Sequence, residues 1–234
     1  MALIFDIETI GEDWGNIDKA TQDSLTRWIK REAGEEEEKY NVMLADLKEG
    51  LGFSPLTGEI AAIGIYDEEK DKGAVYFQSP EEENQEYVKE NFTFKPKSEK
   101  EMLLDFWAGA KNYSEFVSFN GRSFDVPFLL VRSAVHKIKP TINLMSNRYL
   151  NSQYGARHID LLDQLSFYGA VRRKGNLHLY CRALGLKSPK GSGITGDDVG
   201  RLFKDKEYKK IAEYNSWDLT ATAELYKIWK EYIQ

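Results

Sequence analysis

Apolar positions recur along this chain with two periods, near two in some stretches and near 3.6 in others. The apolar run Ala2-Leu3-Ile4-Phe5 leads into Asp6-Ile7-Glu8 and predicts a strand over residues 2–8. Further strands are predicted at 59–66, 73–78 and 115–120, with a short one at 141–144. Helical spacing appears at 99–111, where Met102, Leu103, Phe106 and Trp107 form the face to be buried. It returns at 126–137, ending before Pro140, and at 159–168, 176–185, 197–204 and 207–232. Two helical pieces, 24–31 and 42–51, are separated by Gly34 and by Glu35 to Glu38, and they occupy an insertion between the first two strands. Short links between the first three strands predict an antiparallel meander. Strand 115–120 is reached through a helix, which permits parallel pairing with the first strand. The expectation is one α/β domain over residues 1–234, a mixed five-stranded sheet flanked by helices, with an insertion at about 12–51.

Three polar interruptions of this pattern carry candidate chemistry. Asp6 and Glu8 are two apart on a strand and so share a face. Two like charges buried side by side are costly, so either a divalent metal lies between them or the pair sits solvated at the sheet rim. Asp125 follows the turn Asn120-Gly121 and precedes Pro127, so it is either an N-cap or a site residue. Tyr214 and Asp218 are four apart on the last helix and share a face, as a core-edge pair or as a functional one.

In this order, Asp-x-Glu on the first strand, Asn-x-x-x-x-Asp at a strand-to-helix turn and Tyr-x-x-x-Asp on a late helix resemble the DEDD exonucleases, specifically the tyrosine-bearing (DEDDy) branch. The nearest likeness is to the proofreading exonuclease domain of family B DNA polymerases and its stand-alone predicted relatives. The resemblance is strong at 5–8, 119–129 and 214–222, suggestive at His158-Ile159-Asp160-Leu161 and Leu184-Gly185-Leu186, and absent from about 11–55. It implies a ribonuclease H-like fold and metal-dependent hydrolysis that releases nucleoside 5′-monophosphates from single-stranded 3′ ends, DNA favoured over RNA. Two ions, Mg²⁺ or Mn²⁺, would be held by Asp6, Glu8, Asp125 and Asp218, with Asp6 bridging both and Tyr214 orienting the attacking water. Thr9, Asn120 and Phe124 match positions that meet the last nucleotides, although Phe124 reads first as a core aromatic. The implied partner is a polymerase or repair complex acting in trans. A catalytically silent nucleic-acid-binding domain and a protein-interaction adaptor of the same fold are the alternatives.

Composition adds direction. The net charge of −6 hides an asymmetry: residues 126–196 hold eleven Lys and Arg against Asp160 and Asp163, a local +9, while the remainder carries −15. Such a stretch suits phosphate contact, with Arg172-Arg173-Lys174 the densest point, or else a solvated loop. His136, His158 and His178 lie in the same stretch without a partner spacing that suggests catalysis. The acidic insertion is a solvated face or a flap over the site, Glu81-Glu82-Glu83 an exposed turn, and Thr195-x-x-Asp198 a capping box. Cys181 alone offers no disulfide framework and is expected in the core. With no apolar run long enough to span a membrane, only five residues before Asp6 and little after the last motif, the expectation is a cytoplasmic protein without leader, membrane anchor or attached polymerase.

Overall fold

The computed structural model describes residues 1–80, 85–188 and 193–234; the Glu81-Glu82-Glu83 turn lies outside them. Its centre is a mixed sheet built from β1 (Ala2–Gly11), β2 (Gly58–Asp67), β3 (Lys72–Phe77), β4 (Tyr87–Lys89), β5 (Phe92–Pro96), β6 (Glu115–Ser118) and β7 (Arg157–Asp160). The order across the sheet is β4-β5-β3-β2-β1-β6-β7. The first three strands form the expected antiparallel meander, and β6 pairs parallel to β1.

The α/β class and mixed sheet stand as expected, but seven strands replace five among the described residues. The added hairpin β4–β5 is short, with only Phe92 and Phe94 alternating into the core. The short strand expected at 141–144 is a turn: Ile142 and Leu144 do alternate towards the core, but the segment pairs with no strand among the described residues. Residues 159 and 160, expected as the start of a helix, instead belong to β7 and extend the sheet beside β6. That expected helix of 159–168 is reduced to α5 (Leu161–Leu165) and a 3-10 turn, Phe167–Gly169.

Helices cover both faces. One face packs α3 (Glu99–Ala110) and α4 (Asp125–Val135) on Leu3, Phe5, Ile7 and Ile63. The other packs α7 (Val199–Lys204) and α8 (Tyr208–Tyr232) on Ala2, Ile4, Ala62 and Val75. The β-period of two therefore turns Asp6 and Glu8, in step with Ala2 and Ile4, towards α8. α6 (Leu177–Ala183) contacts α8 and buries Cys181, as expected. The expected Thr195–Asp198 capping box is present, and α3 carries a second, Ser98 with Glu101.

The insertion forms α1 (Lys19–Ala33) and α2 (Glu37–Glu49), longer than the sequence pattern suggested. The acidic run is no simple separator: Glu37 and Glu38 open α2, where carboxylates suit the positive end of the helix dipole. The insertion closes on a 3-10 turn, Gly50–Phe53, laid against β1. Gly11 and Gly52 permit that approach, since a Cβ on Gly11 would lie 2.9 Å from the Gly52 nitrogen. The Thr57 hydroxyl donates to the Leu51 carbonyl at 2.8 Å. The insertion therefore stands on a close-packed, hydrogen-bonded foot.

Candidate metal centre

Where β1 outruns β6, the β1–β6 pairing stops at Ile4 and Val117, leaving an open edge beside Asp6 to Glu8. α4 begins in that gap. Asp125 is its first helical residue rather than its N-cap, and the carboxylate accepts from the Ile7 amide at 3.1 Å. The alternative N-cap reading of Asp125 is thus replaced by a bond into β1 itself. A register shift between Glu8 and Thr9, where β2 carries an extra residue, ends the regular ladder immediately beyond the acidic pair.

α8 supplies the opposite side. Ile211, Tyr214, Asn215, Asp218, Leu219 and Thr222 lie at helical spacing on one stripe, so the apolar part of the stripe docks the helix and its polar part meets β1. Ligand oxygens of Asp6, Glu8 and Asp218 lie within 4.8 Å of one another. An all-oxygen set of this kind fits a hard divalent ion such as Mg²⁺ or Mn²⁺. The electrostatics match that chemistry. Burial raises Asp6 well above the usual carboxylate range, and the negative charges of Asp125, Glu8 and Asp218 add to it. Glu8 is raised by burial and Asp218, with the Asn215 amide opposing. Burial pushes Asp125 up to about 7 despite its own amide and that of Ile7. Burial also raises the Tyr214 phenol, reinforced by Asp218 and Glu8; its hydroxyl bonds to Asp218.

Two residues without a role in the sequence pattern, Asn215 and Gly64, help to hold this arrangement. The Asn215 amide donates to Asp6 at 2.8 Å while fully buried. It stands over Gly64, which pairs with Asp6 across the sheet; a Cβ there would come within 1.9 Å of the Asn215 oxygen. The signal was present as an asparagine beside Tyr214 and a glycine inside a strand. Asp160 accepts from the Asn120 and Arg122 amides, each at 2.9 Å, and so fastens the turn from which α4 departs. Asn120 needs that support, with φ at 65°. His158 is buried and pushed down to about 4 by that burial, so it is neutral at physiological pH; it bonds Ser118 at 2.8 Å.

The outer residues divide. Thr9 spends its hydroxyl on the Gly52 carbonyl at 2.7 Å and borders a cleft of about 620 Å³ that runs between the foot of the insertion and α7. Phe124 packs on Phe128, with ring centroids 5.1 Å apart, which favours its core reading. Arg172, Arg173 and Lys174 are exposed on a loop and do not line the carboxylate cleft. The basic stretch is partly neutralised within the fold, since Arg132 pairs with Glu99, Arg148 with Asp163 and Arg157 with Glu115. The carboxylate cleft, about 210 Å³, is lined by Asp6, Tyr214 and Asp218, with Phe119, Asn176, Leu177 and His178 facing them. Among the described residues, no helix is long and apolar enough to cross a membrane.

Comparison with known proteins bears on the fold and the family. No curated protein matches the chain. The family B DNA polymerase from the hyperthermophilic archaeon Pyrobaculum calidifontis shares its fold, with a TM-score of 0.58 at 14% identity over 97% of this chain. The chain spans only 24% of that polymerase. A family described as predicted 3′-5′ exonucleases related to the exonuclease domain of PolB matches residues 72–232, which takes in Asp125, Tyr214 and Asp218 but leaves out Asp6 and Glu8. The chain belongs to that family of predicted 3′-5′ exonucleases.

Proposed function

We propose that this protein is a metal-dependent 3′–5′ exonuclease of the DEDDy type, acting on single-stranded 3′ ends, with DNA favoured over RNA, and releasing nucleoside 5′-monophosphates. The observation that carries the reading is the meeting of Asp6, Glu8 and Asp218 oxygens within 4.8 Å, beside a buried Asp125 and Tyr214. Asp6, Glu8 and Asp218 would hold one ion, and Asp6 with Asp125 a second. When bound, such ions lower the pKa of the attacking water and neutralise the leaving oxygen. Asn215 keeps Asp6 oriented through its 2.8 Å bond, and the Ile7 amide does the same for Asp125. Tyr214, its phenol pushed up by burial and Asp218, stays protonated near neutral pH. It can therefore orient a water but not take a proton from it.

Residues 1–234 act as one exonuclease unit in this reading, in the cytoplasm, with a polymerase or repair complex as a partner in trans. Arg172, Arg173 and Lys174, exposed and cationic, would contact the strand backbone away from the cleft. Asn120 lies beside the terminal nucleotide in the same reading, with Thr9 and Phe124 at the margins. The test uses 5′-labelled DNA and RNA of matched sequence, incubated in Mg²⁺, in Mn²⁺ and in EDTA. A ladder shortening from the 3′ end, dependent on metal and absent from Asp6→Ala, is expected. Absence of any ladder with retained binding would replace the reading by a silent nucleic-acid-binding domain.

A further inference from the structure

The carboxylate cleft has a second wall whose chemistry the metal site does not use. Phe119, Asn176, Leu177 and His178 face Asp6, Tyr214 and Asp218 across a volume of about 210 Å³. The wall is firmly set: Tyr180 of α6 makes an edge contact with Phe119 at 5.9 Å, and Leu177 packs on the core. Of its polar groups, the Asn176 oxygen is committed to capping the Leu179 amide at 3.0 Å. His178 is half-buried, and its Nδ1 lies 2.6 Å from the Ser188 hydroxyl oxygen.

That contact bears on what His178 can offer. If the serine hydroxyl donates to Nδ1, the neutral imidazole carries its proton on Nε2 and becomes a hydrogen-bond donor. The cleft needs one. Asp6 and Asp218 offer no donor, being acceptors that hold the ions in the exonuclease reading, and the Tyr214 hydroxyl is engaged with Asp218. A phosphodiester entering here meets donors on the α6 wall alone among the cleft's lining side chains.

We propose that His178 is a substrate-binding residue, its imidazole donating through Nε2 to a non-bridging phosphate oxygen of the strand next to the scissile bond, with Ser188 fixing the tautomer. This rests on the exonuclease reading above, and names how that site grips its substrate. The interaction needs no positive charge on the ring.

The test compares wild type, His178→Ala, His178→Gln and Ser188→Ala on an oligonucleotide with a normal 3′-terminal linkage and on ones with a single methylphosphonate, placed at each of the last three linkages in turn. A hydrogen bond to a charged oxygen predicts a KM increase of roughly tenfold or more for His178→Ala, with kcat within about twofold. His178→Gln, which keeps an N–H donor, should recover part of it, and Ser188→Ala should lose less. At one linkage the methylphosphonate should penalise wild type and cost His178→Ala nothing further. An unchanged KM in His178→Ala, or an equal methylphosphonate penalty in both proteins at every linkage, overturns the proposal. The same cycle read as binding of the oligonucleotides in EDTA remains decisive if wild type proves not to cleave, so failure of the exonuclease reading and failure of the His178 assignment are separate results.

Discussion

Glu8 and Glu99 are buried almost equally, 6% and 5% exposed, yet their surroundings drive them in opposite directions. Around Glu99, burial acts to raise the carboxyl, but Arg132, His136 and the Ile60 amide outweigh it and hold it below its ordinary value. The bonds are short and complete, at 2.8 and 2.7 Å from Arg132, 2.6 Å from His136 and 2.8 Å from the Ile60 amide. Around Glu8, burial also acts to raise the carboxyl, and the neighbours Asp218 and Asp125 add to it, with only the Asn215 amide in opposition. One cluster closes its own charge balance; the other leaves negative charge for a cation to neutralise. A buried acid is therefore no sign of a site by itself. What distinguishes a site is acidity that the fold concentrates and does not compensate.

The largest effects should come from crossing the two clusters. Asp6→Ala or Asp218→Asn is expected to abolish turnover while leaving single-strand binding measurable. In EDTA, Glu8→Gln is expected to raise the melting temperature, since it removes a charge from a like-charged group. Glu99→Ala should do the reverse: kcat per folded molecule stays within about twofold. Leaving Arg132 without its partner costs about 3–5 kcal/mol, which is roughly 6–20 °C in melting temperature at this chain length. Calorimetry and single-turnover kinetics on the same four proteins read both axes. Loss of chemistry in Glu99→Ala at unchanged kcat in Asp6→Ala would erase the distinction.

A smaller effect sharpens it. Ion binding stabilises the folded state by mass action, about 2.7 kcal/mol at one hundred times the dissociation constant. Mg²⁺ should therefore raise the melting temperature of wild type and of Glu99→Ala alike, and leave Asp6→Ala unmoved. A rise in Asp6→Ala equal to that of wild type would locate the ion elsewhere.

The same contrast explains what the sequence made legible. Asp6, Glu8, Asp125, Tyr214 and Asp218 stood out because each interrupts an apolar period, and strand and helix spacing already assigned their faces. The meander and the parallel β1–β6 pair followed from link lengths. Asn215 and Gly64 were harder to see, because their roles exist only where α8 crosses β2, a contact between residues far apart in the chain. Asp160 likewise acts on a turn nearly forty residues earlier, bonding Arg122 from a distance of 38 positions. The end of β7 was absorbed into a helix expected from residue 159, because its four residues, Arg157 to Asp160, are too few to show a period. The basic segment was legible only as charge, for a similar reason: Arg132, Arg148 and Arg157 are turned to partners that only the fold supplies.

The subtlest way to separate the clusters is their response to pH, measured as unfolding free energy in EDTA. Asp125, at about 7 in the folded protein against an ordinary value of 3.8, binds its proton more tightly when folded. Its contribution is fully present below the unfolded value and is lost as pH rises through about 7. Asp6 and Glu8 act in the same direction. Glu99 is held below its ordinary 4.5, so its contribution is present above that value and is lost as pH falls through its lowered folded one. Wild-type stability should thus decline between pH 4 and 7 on account of the candidate centre, and decline again in acid on account of Glu99. Asp125→Asn, which keeps an acceptor for the Ile7 amide, should flatten the first slope and spare the second, whereas Glu99→Ala should do the opposite. Saturating Mg²⁺ should flatten the first slope as well, because the ion takes the place of the proton as the compensating charge. If Asp125→Asn and wild type run parallel from pH 4 to 7, the carboxylates on the β1 face are not held as an uncompensated group, and the case for a metal there loses its electrostatic support.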